Sequence, residues 1–226
     1  MDPKKTDYAR VVYNTKDIPI TSYPKKLIGY LIDKYNLNPK HNILELGSGR
    51  GDFLKEFANN KFDISATDIS DYVKEFCPSV KFKRANLEKE NIPFDDNSFD
   101  IVYTKSFVEH FYYPEKIFKE IFRVLKPGGK VITLTPHWKY MYKNFYEDYS
   151  HRTPFTIESI NYIQQTSGFK NIYSENFRQL PVIWKYKFFI LFSEITRIMC
   201  PSFLTKKFKW VRFSKEVMIL SISQKP

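Results

Sequence analysis

The sequence predicts an α/β fold with a mostly parallel sheet, and three observations carry that prediction. Short apolar runs alternate with amphipathic helical segments along most of the 226 residues. The first of these runs, Ile43 to Leu46, passes directly into a glycine loop and a helix start, ILELGSGRGDFL. The chain has only 7 glycines, and Gly47, Gly49 and Gly51 are all spent on that one loop.

Taken in order, residues 1–21 are polar and irregular and read as an arm or flap. Leu27, Ile28, Leu31 and Ile32 recur at helical spacing between Tyr23 and Tyr35, with Pro24 suited to a helix start. Strands are expected at 43–46, 62–67, 80–84, 99–104, 130–135, 170–174 and 216–223, with helices at 52–59, 114–125 and 156–167. Lys126-Pro127-Gly128-Gly129 is a structural turn that ends the second of these helices, and Thr156 is placed to cap the third. Residues 178–213 form an insertion between the last two strands. Its segment 182–199, bracketed by Pro181 and Pro201, is rich in aromatic and aliphatic residues but too charged to cross a bilayer.

The expected organisation is one domain over residues 1–226, since 42% hydrophobic and 27% charged residues are ordinary for a globular chain of this length. Cys77 and Cys200 lie far apart with no CxxC neighbour, so neither a disulfide framework nor a zinc site is expected, and no metal is assigned. The N-terminal stretch lacks an apolar signal core, which points to a cytoplasmic protein. The net charge of +11 is unevenly placed. Residues 178–213 carry eight basic residues against Glu194 alone. Such a patch suits phosphate, nucleic acid or an acidic membrane surface, and peripheral membrane contact through 182–212 is one expectation.

The glycine loop would serve any nucleotide-like ligand in a parallel sheet. Three details narrow it. The pattern is G-x-G-x-G, and Asp52 stands where a dinucleotide fingerprint needs glycine. Glu45 before the loop and Asp52 after it would repel a pyrophosphate but suit a ligand carrying ammonium and sulfonium groups. Asp68 ends the second expected strand, where a carboxylate can accept from both ribose hydroxyls.

With these residues the chain resembles the class I S-adenosylmethionine-dependent methyltransferases of the small-molecule and sugar-modifying type. The resemblance runs over roughly residues 40–175, through ILELGSGRGDFL, SATDIS (65–70), ANLEKENIPFDDNSFDIVYTKSFVEHF (85–111) and RVLKPGGKVITLTP (123–136). It implies a Rossmann-like methyltransferase fold, a seven-stranded sheet flanked by helices, here with an aromatic basic insertion before the last strand. It also implies S-adenosylmethionine as cofactor and S-adenosylhomocysteine as product. Carried over, Glu45, Gly47, Gly49 and Gly51 would line the methionine part, Asp68 would hold the ribose and Ile69 would pack on the adenine. Asn86, in place of the family's usual acid, and Leu87 would meet the adenine edge, Lys105 and Ser106 would lie near the sulfonium, and His110 would be a histidine of the cofactor pocket.

An alcohol acceptor must also lose a proton, and histidine is the side chain best tuned for that at neutral pH. His41 precedes the first strand, at the wrong end of the sheet. His137 follows the fifth strand. His151, with Asp148 as an orienting carboxylate, lies in EDYSHRTPFT, which resembles a segment of family members acting on surface glycans. The expected reaction is O-methylation of a sugar nucleotide or glycan precursor with His151 or His137 as general base. RNA methylation is the alternative, favoured by the basic charge and abundant aromatics but lacking a recognisable RNA-binding appendage. Another small hydroxylated metabolite also remains open, and oligomeric state is not assigned.

Overall fold

The computed structural model describes residues 7–226. Its sheet contains β1 (Asn42–Leu46), β2 (Asp63–Asp68), β3 (Lys81–Arg84), β4 (Phe99–Lys105), β5 (Leu125–Pro136), β6 (Lys170–Arg178) and β7 (Val217–Gln224). The strand order is β3-β2-β1-β4-β5-β7-β6. Pairings from β3 through β5 are parallel, and β7 enters antiparallel between β5 and β6. The sheet therefore grows outward in both directions from β1 and β4, and the crevice beyond their carboxyl ends is where a ligand belongs.

The inner strands β1, β2, β4, β5 and β7 are buried on both faces, which is why they read as mostly apolar runs rather than as alternation, whereas the edge strands β3 and β6 are largely exposed. Ile43, Ile101, Ile132 and Leu220 point to one side, where α2 (Tyr23–Tyr35) and α3 (Asp52–Asn59) supply Leu27, Leu31 and Phe57. Leu44, Val102, Val131 and Ile219 point to the other, against α5 (Pro114–Val124) and α7 (Ile157–Thr166), while the single-turn helices α4 (Val73–Phe76) and α6 (Trp138–Met141) follow β2 and β5. Successive strand residues thus feed opposite layers. The cap at Thr156 forms as expected: its hydroxyl accepts from Ser159 N at 3.2 Å while Ser159 Oγ accepts from Thr156 N. Such a reciprocal cap contributes about 1 kcal/mol to the helix start.

Two expectations need correction. The segment 126–129 is part of β5 itself, which begins at Leu125, and its pairing with β4 shifts register between Phe99 and Ile101 of that strand. The supposed arm contains a helix, α1 (Tyr8–Val12), capped by Asp7. Residues 1–6 lie outside the described part. The insertion is also helical: α8 (Pro181–Lys185), α9 (Phe189–Met199) and α10 (Lys209–Lys215) follow β6. Trp184 of α8 stacks on Phe177 at 5.3 Å and donates to Arg178 O at 2.8 Å, so the insertion is rooted on the main core.

Among the described residues, no helix is long and apolar enough to cross a membrane. Helix α9 has an unusual distribution, because its one buried residue is Ser193, hydrogen-bonded to Ser214 at 3.0 Å, while Leu191, Ile198 and Met199 are 65–76% exposed.

Candidate functional site

A cleft of about 340 Å³ opens beyond the carboxyl ends of β1, β2 and β4. The glycine loop forms its floor. Gly47 has φ +69°, and a Cβ there would stand 2.3 Å from the ring of Phe107, so no side chain fits without displacing that ring. Gly49, at φ +51°, approaches Asp68 closely enough to donate its amide to Oδ2 at 2.8 Å. Ser70 N donates to the other carboxylate oxygen at 2.9 Å. Asp68 is thereby fixed at the rim with further lone pairs on both oxygens. Burial pushes its pKa up against the pull of these amides.

Of the residues expected at the cofactor, Gly47, Gly49, Asp68, Ile69, Asn86, Leu87, Ser106 and His110 line this cleft. Ile69 is 48% exposed, leaving open apolar surface on which a flat base can pack. The Asn86 amide oxygen accepts from Glu88 N at 3.2 Å and so caps its own turn. Glu45, Gly51 and Lys105 are not lining residues. Glu45 lies buried beneath the loop, where burial holds its carboxyl well above the usual range and Oε2 has no partner. Gly51 faces Val73 at the start of α3. The ammonium of Lys105 sits over Phe53, 5.4 Å from the ring centroid.

Asp52 also differs from expectation. It pairs with Arg50 through contacts of 2.6 and 2.9 Å, so its charge is spent inside the protein. Arg50, only 2% exposed, donates from Nη1 to both Tyr13 O and Ile18 O at 2.9 and 2.7 Å. This side chain latches the N-terminal segment over the loop. A second tie joins Ser70 Oγ to Asp7 at 2.7 Å. As a result Tyr8 and Tyr13 form one wall of the cleft. Sequence reasoning missed both tyrosines, together with Phe107, Ser150 and Arg152. The only advance signal was the aromatic spacing of Tyr8 and Tyr13 within an otherwise polar stretch.

The histidines separate clearly. His110 lines the cleft, and its ring lies 4.9 Å from that of His151. His151 Nδ1 is 2.6 Å from Phe145 O, and its Nε2 is 3.9 Å from Asp148 Oδ2. The expected orientation by Asp148 is thus replaced by a backbone carbonyl. Asp148 instead accepts from Ser150 N at 2.9 Å and Ser150 Oγ at 2.5 Å. Ser150 Oγ also meets His110 Nδ1 at 3.0 Å. His137 lines neither this cleft nor the second cavity. It is 3% exposed, with Nδ1 2.8 Å from Asn176 Oδ1, which removes it from the place of a general base.

The second cavity, about 380 Å³, carries Lys206, Lys207, Lys209, Arg212 and Lys215 on its walls, with Glu147 and Glu216 as the acidic members. Glu147 belongs to the same chain segment as Ser150 and Arg152, so one stretch of chain borders both cavities. Lys105 feels Glu109, Glu216 and Glu45, yet burial dominates and brings its pKa down to about 8.

The residues present fit S-adenosylmethionine. The cleft has the size of a small-cofactor site. Glu45 Oε2, Ser48 Oγ and Thr67 Oγ1 are buried polar atoms around the loop without partners in the protein. Asp68 and Ile69 lie side by side in the cleft lining, one a fixed carboxylate and the other an open apolar face.

Comparison with known proteins agrees with this geometry. Residues 44–133 match the family model described as a methyltransferase domain. Phosphoethanolamine N-methyltransferase 1 of Arabidopsis thaliana is 33% identical over 113 residues, covering 45% of this chain and 22% of that protein. The ubiquinone/menaquinone biosynthesis C-methyltransferase UbiE of Cupriavidus metallidurans is 31% identical over 132 residues, 54% of each chain. The chain spans about half the length, or less, of the curated relatives it matches. Among solved structures, Haemonchus contortus phosphoethanolamine N-methyltransferase 2, bound to phosphomonomethylethanolamine and S-adenosylhomocysteine, superposes with a TM-score of 0.69. It is 18% identical, and the match covers 99% of this chain and 58% of that one. The [4+2]-cyclase SpnF shares the fold at TM-score 0.60 and 17% identity, over 89% of this chain and 80% of that one, so fold alone does not fix the reaction. The domain model, the strand order and the loop with its rim carboxylate agree: residues 44–133 carry a methyltransferase domain, and the chain has the fold of the class I S-adenosylmethionine-dependent methyltransferases.

Proposed function

We propose that the protein transfers the methyl group of S-adenosylmethionine to a hydroxyl of a phosphate-bearing, sugar-like acceptor. The observation that carries this reading is the cavity with five basic side chains, to which the chain stretch 147–152 contributes Glu147 while giving Ser150 and Arg152 to the cofactor cleft. Cations gathered in a concave site suit the phosphate of a sugar phosphate or sugar nucleotide. In the reaction the acceptor oxygen forms a bond to the methyl carbon as the carbon–sulfur bond breaks. The electron pair goes to sulfur, leaving S-adenosylhomocysteine. The acceptor's proton leaves on the side of Glu109, His110 and His151, the titratable groups gathered near the cleft. The protein's main contribution is alignment and exclusion of water, for which the wall of Tyr8 and Tyr13 is well placed.

A phosphate-bearing amine is the second reading, favoured by the phosphoethanolamine methyltransferases among the relatives. Turnover of methyl-labelled cofactor against sugar phosphates, sugar nucleotides, phosphorylated amines, RNA and unphosphorylated sugars separates the possibilities. The first reading expects methylation of a phosphorylated sugar and a large loss with Lys209→Ala/Arg212→Ala. Methylation of amines alone, or of RNA alone, overturns it.

We also infer that the insertion rests on an anionic membrane surface. The outward face of α9 and its neighbours Phe188 and Phe203 is apolar and exposed, and Lys185, Lys187, Lys206 and Lys207 flank it. Co-sedimentation with vesicles containing phosphatidylglycerol, but not with pure phosphatidylcholine, is expected, and Leu191→Glu/Ile198→Glu should release the protein. Equal recovery in the supernatant with both vesicle types would contradict it.

A further inference from the structure

Glu109 stands out among the buried acids. It lies in a single turn of 3-10 helix after β4 and is fully buried. Its Oε2 accepts from Thr135 Oγ1 at 3.0 Å, whereas Oε1 is buried without any partner. A buried carboxylate oxygen left in this way is costly unless something cationic or a donor meets it. Two imidazoles stand beside it: one carboxylate oxygen of Glu109 and one ring nitrogen each of His110 and His151 lie within 4.8 Å of one another.

The surroundings of these three side chains are ordered. Arg152 N and Thr153 N donate to Glu109 O at 2.8 and 3.0 Å, which locks the segment carrying His151 to the turn carrying Glu109 and His110. The Nδ1 of His151 faces the Phe145 carbonyl, which leaves Nε2 for another partner. The Nδ1 of His110 meets Ser150 Oγ, itself held by Asp148. Each ring thus has one nitrogen occupied by an oxygen acceptor or hydroxyl, the pattern that fixes tautomer and orientation in metal-binding histidines.

We propose that Glu109, His110 and His151 form a divalent-cation site beside the cofactor cleft. Two imidazoles and one carboxylate on one side of an ion leave positions open on the other, where an acceptor oxygen can bind. The imidazole pair selects a first-row transition ion such as Mn²⁺, Co²⁺ or Zn²⁺ over Mg²⁺, which prefers an all-oxygen shell. With the ion present, the two histidines act as ligands. Such an ion would lower the pKa of an acceptor hydroxyl on its open side, so that the proton would pass to solvent on the side of this cluster. The site deepens the methyl-transfer reading for its purpose, but ion binding is measured with no acceptor present.

The test uses the whole chain, stripped with chelator and saturated with S-adenosylhomocysteine. Co²⁺ is followed by its visible absorption and Mn²⁺ by electron paramagnetic resonance. Binding of a single ion per chain is expected, with Mg²⁺ a weak competitor. Glu109→Gln and His151→Gln should each weaken binding by about tenfold or more. Circular dichroism and S-adenosylhomocysteine titration report whether either variant has lost its fold, and His137→Gln should bind the ion as the parent does. No stoichiometric binding of Co²⁺ or Mn²⁺ by the parent, or binding that survives in a folded Glu109→Gln and in His151→Gln alike, overturns the proposal. Ion binding without methylation of any phosphorylated sugar would leave the site standing and remove the acceptor reading alone.

Discussion

The amide of Gly49 donates to Oδ2 of Asp68 at 2.8 Å, so the tip of the glycine loop and the end of β2 are held as one unit. Replacing Asp68 with alanine removes this anchor together with the acceptor for Ser70 N. Hydrogen bonds to a charged group contribute about 1.5–3 kcal/mol each. Affinity of Asp68→Ala for S-adenosylhomocysteine should therefore fall by tenfold or more, as read by calorimetry, with little change in helix content. Affinity equal to the parent would mean that the carboxylate only shapes the loop.

Arg50 ties the N-terminal segment to the loop through Tyr13 O and Ile18 O. Methionine at this position keeps much of the volume and loses the donors. Amide exchange in residues 7–18 should then become faster, and S-adenosylhomocysteine should dissociate faster, because Tyr8 and Tyr13 are no longer held at the cleft. Unchanged exchange in Arg50→Met would show that α1 docks by its apolar contacts and the Asp7–Ser70 bond alone.

Glu194 links the insertion to the sheet by pairing with Arg178, a 7% exposed cation at the end of β6, and with Arg197 at 2.7 Å. Glu194 is itself partly exposed, but removing it strands the buried Arg178 charge, at a cost of about 1–3 kcal/mol. Glu194→Ala should lower thermal stability sharply, whereas Glu158→Ala, which breaks the exposed pair with Lys139, should change it little. Equal effects in the two variants would contradict the account of how the insertion is anchored.

Lys105 sets a pH dependence whose sign is fixed. Its pKa is about 8 in the folded chain against an ordinary 10.5, because burial disfavours the ammonium. Between these values the unfolded chain holds the proton and the folded chain does not, so stability rises with pH from about 8 towards 10.5. Denaturant melts of Lys105→Met should lack this rise relative to the parent. A parallel pH profile in the two proteins would show that Lys105 keeps its charge through its acidic neighbours Glu109, Glu216 and Glu45.

The glycine loop, Asp68, Ile69 and the seven strands were legible in the sequence because each depends on residues close together in the chain. What was not legible depended on tertiary direction. Asp52 reads as a ligand carboxylate until Arg50, two residues earlier, turns back onto it. His137 and His151 look equivalent along the chain, but only β5 running into the Phe155 bridge shows that His137 faces Asn176 rather than the cleft. Tyr8 and Tyr13 reach the site from a segment whose composition resembles an arm. In α9 Ser193 faces inward and the large side chains outward, which the composition of residues 182–199 does not decide.

The central claim is that this loop and rim carboxylate bind a sulfonium-bearing nucleoside rather than a dinucleotide. Titration of the purified chain with S-adenosylmethionine, S-adenosylhomocysteine and NAD in the calorimeter tests it most directly. The account predicts single-site binding of the first two, lost or much weakened in Asp68→Ala, and no heat with NAD. Binding of NAD, or no saturable heat with either S-adenosyl compound, would contradict it.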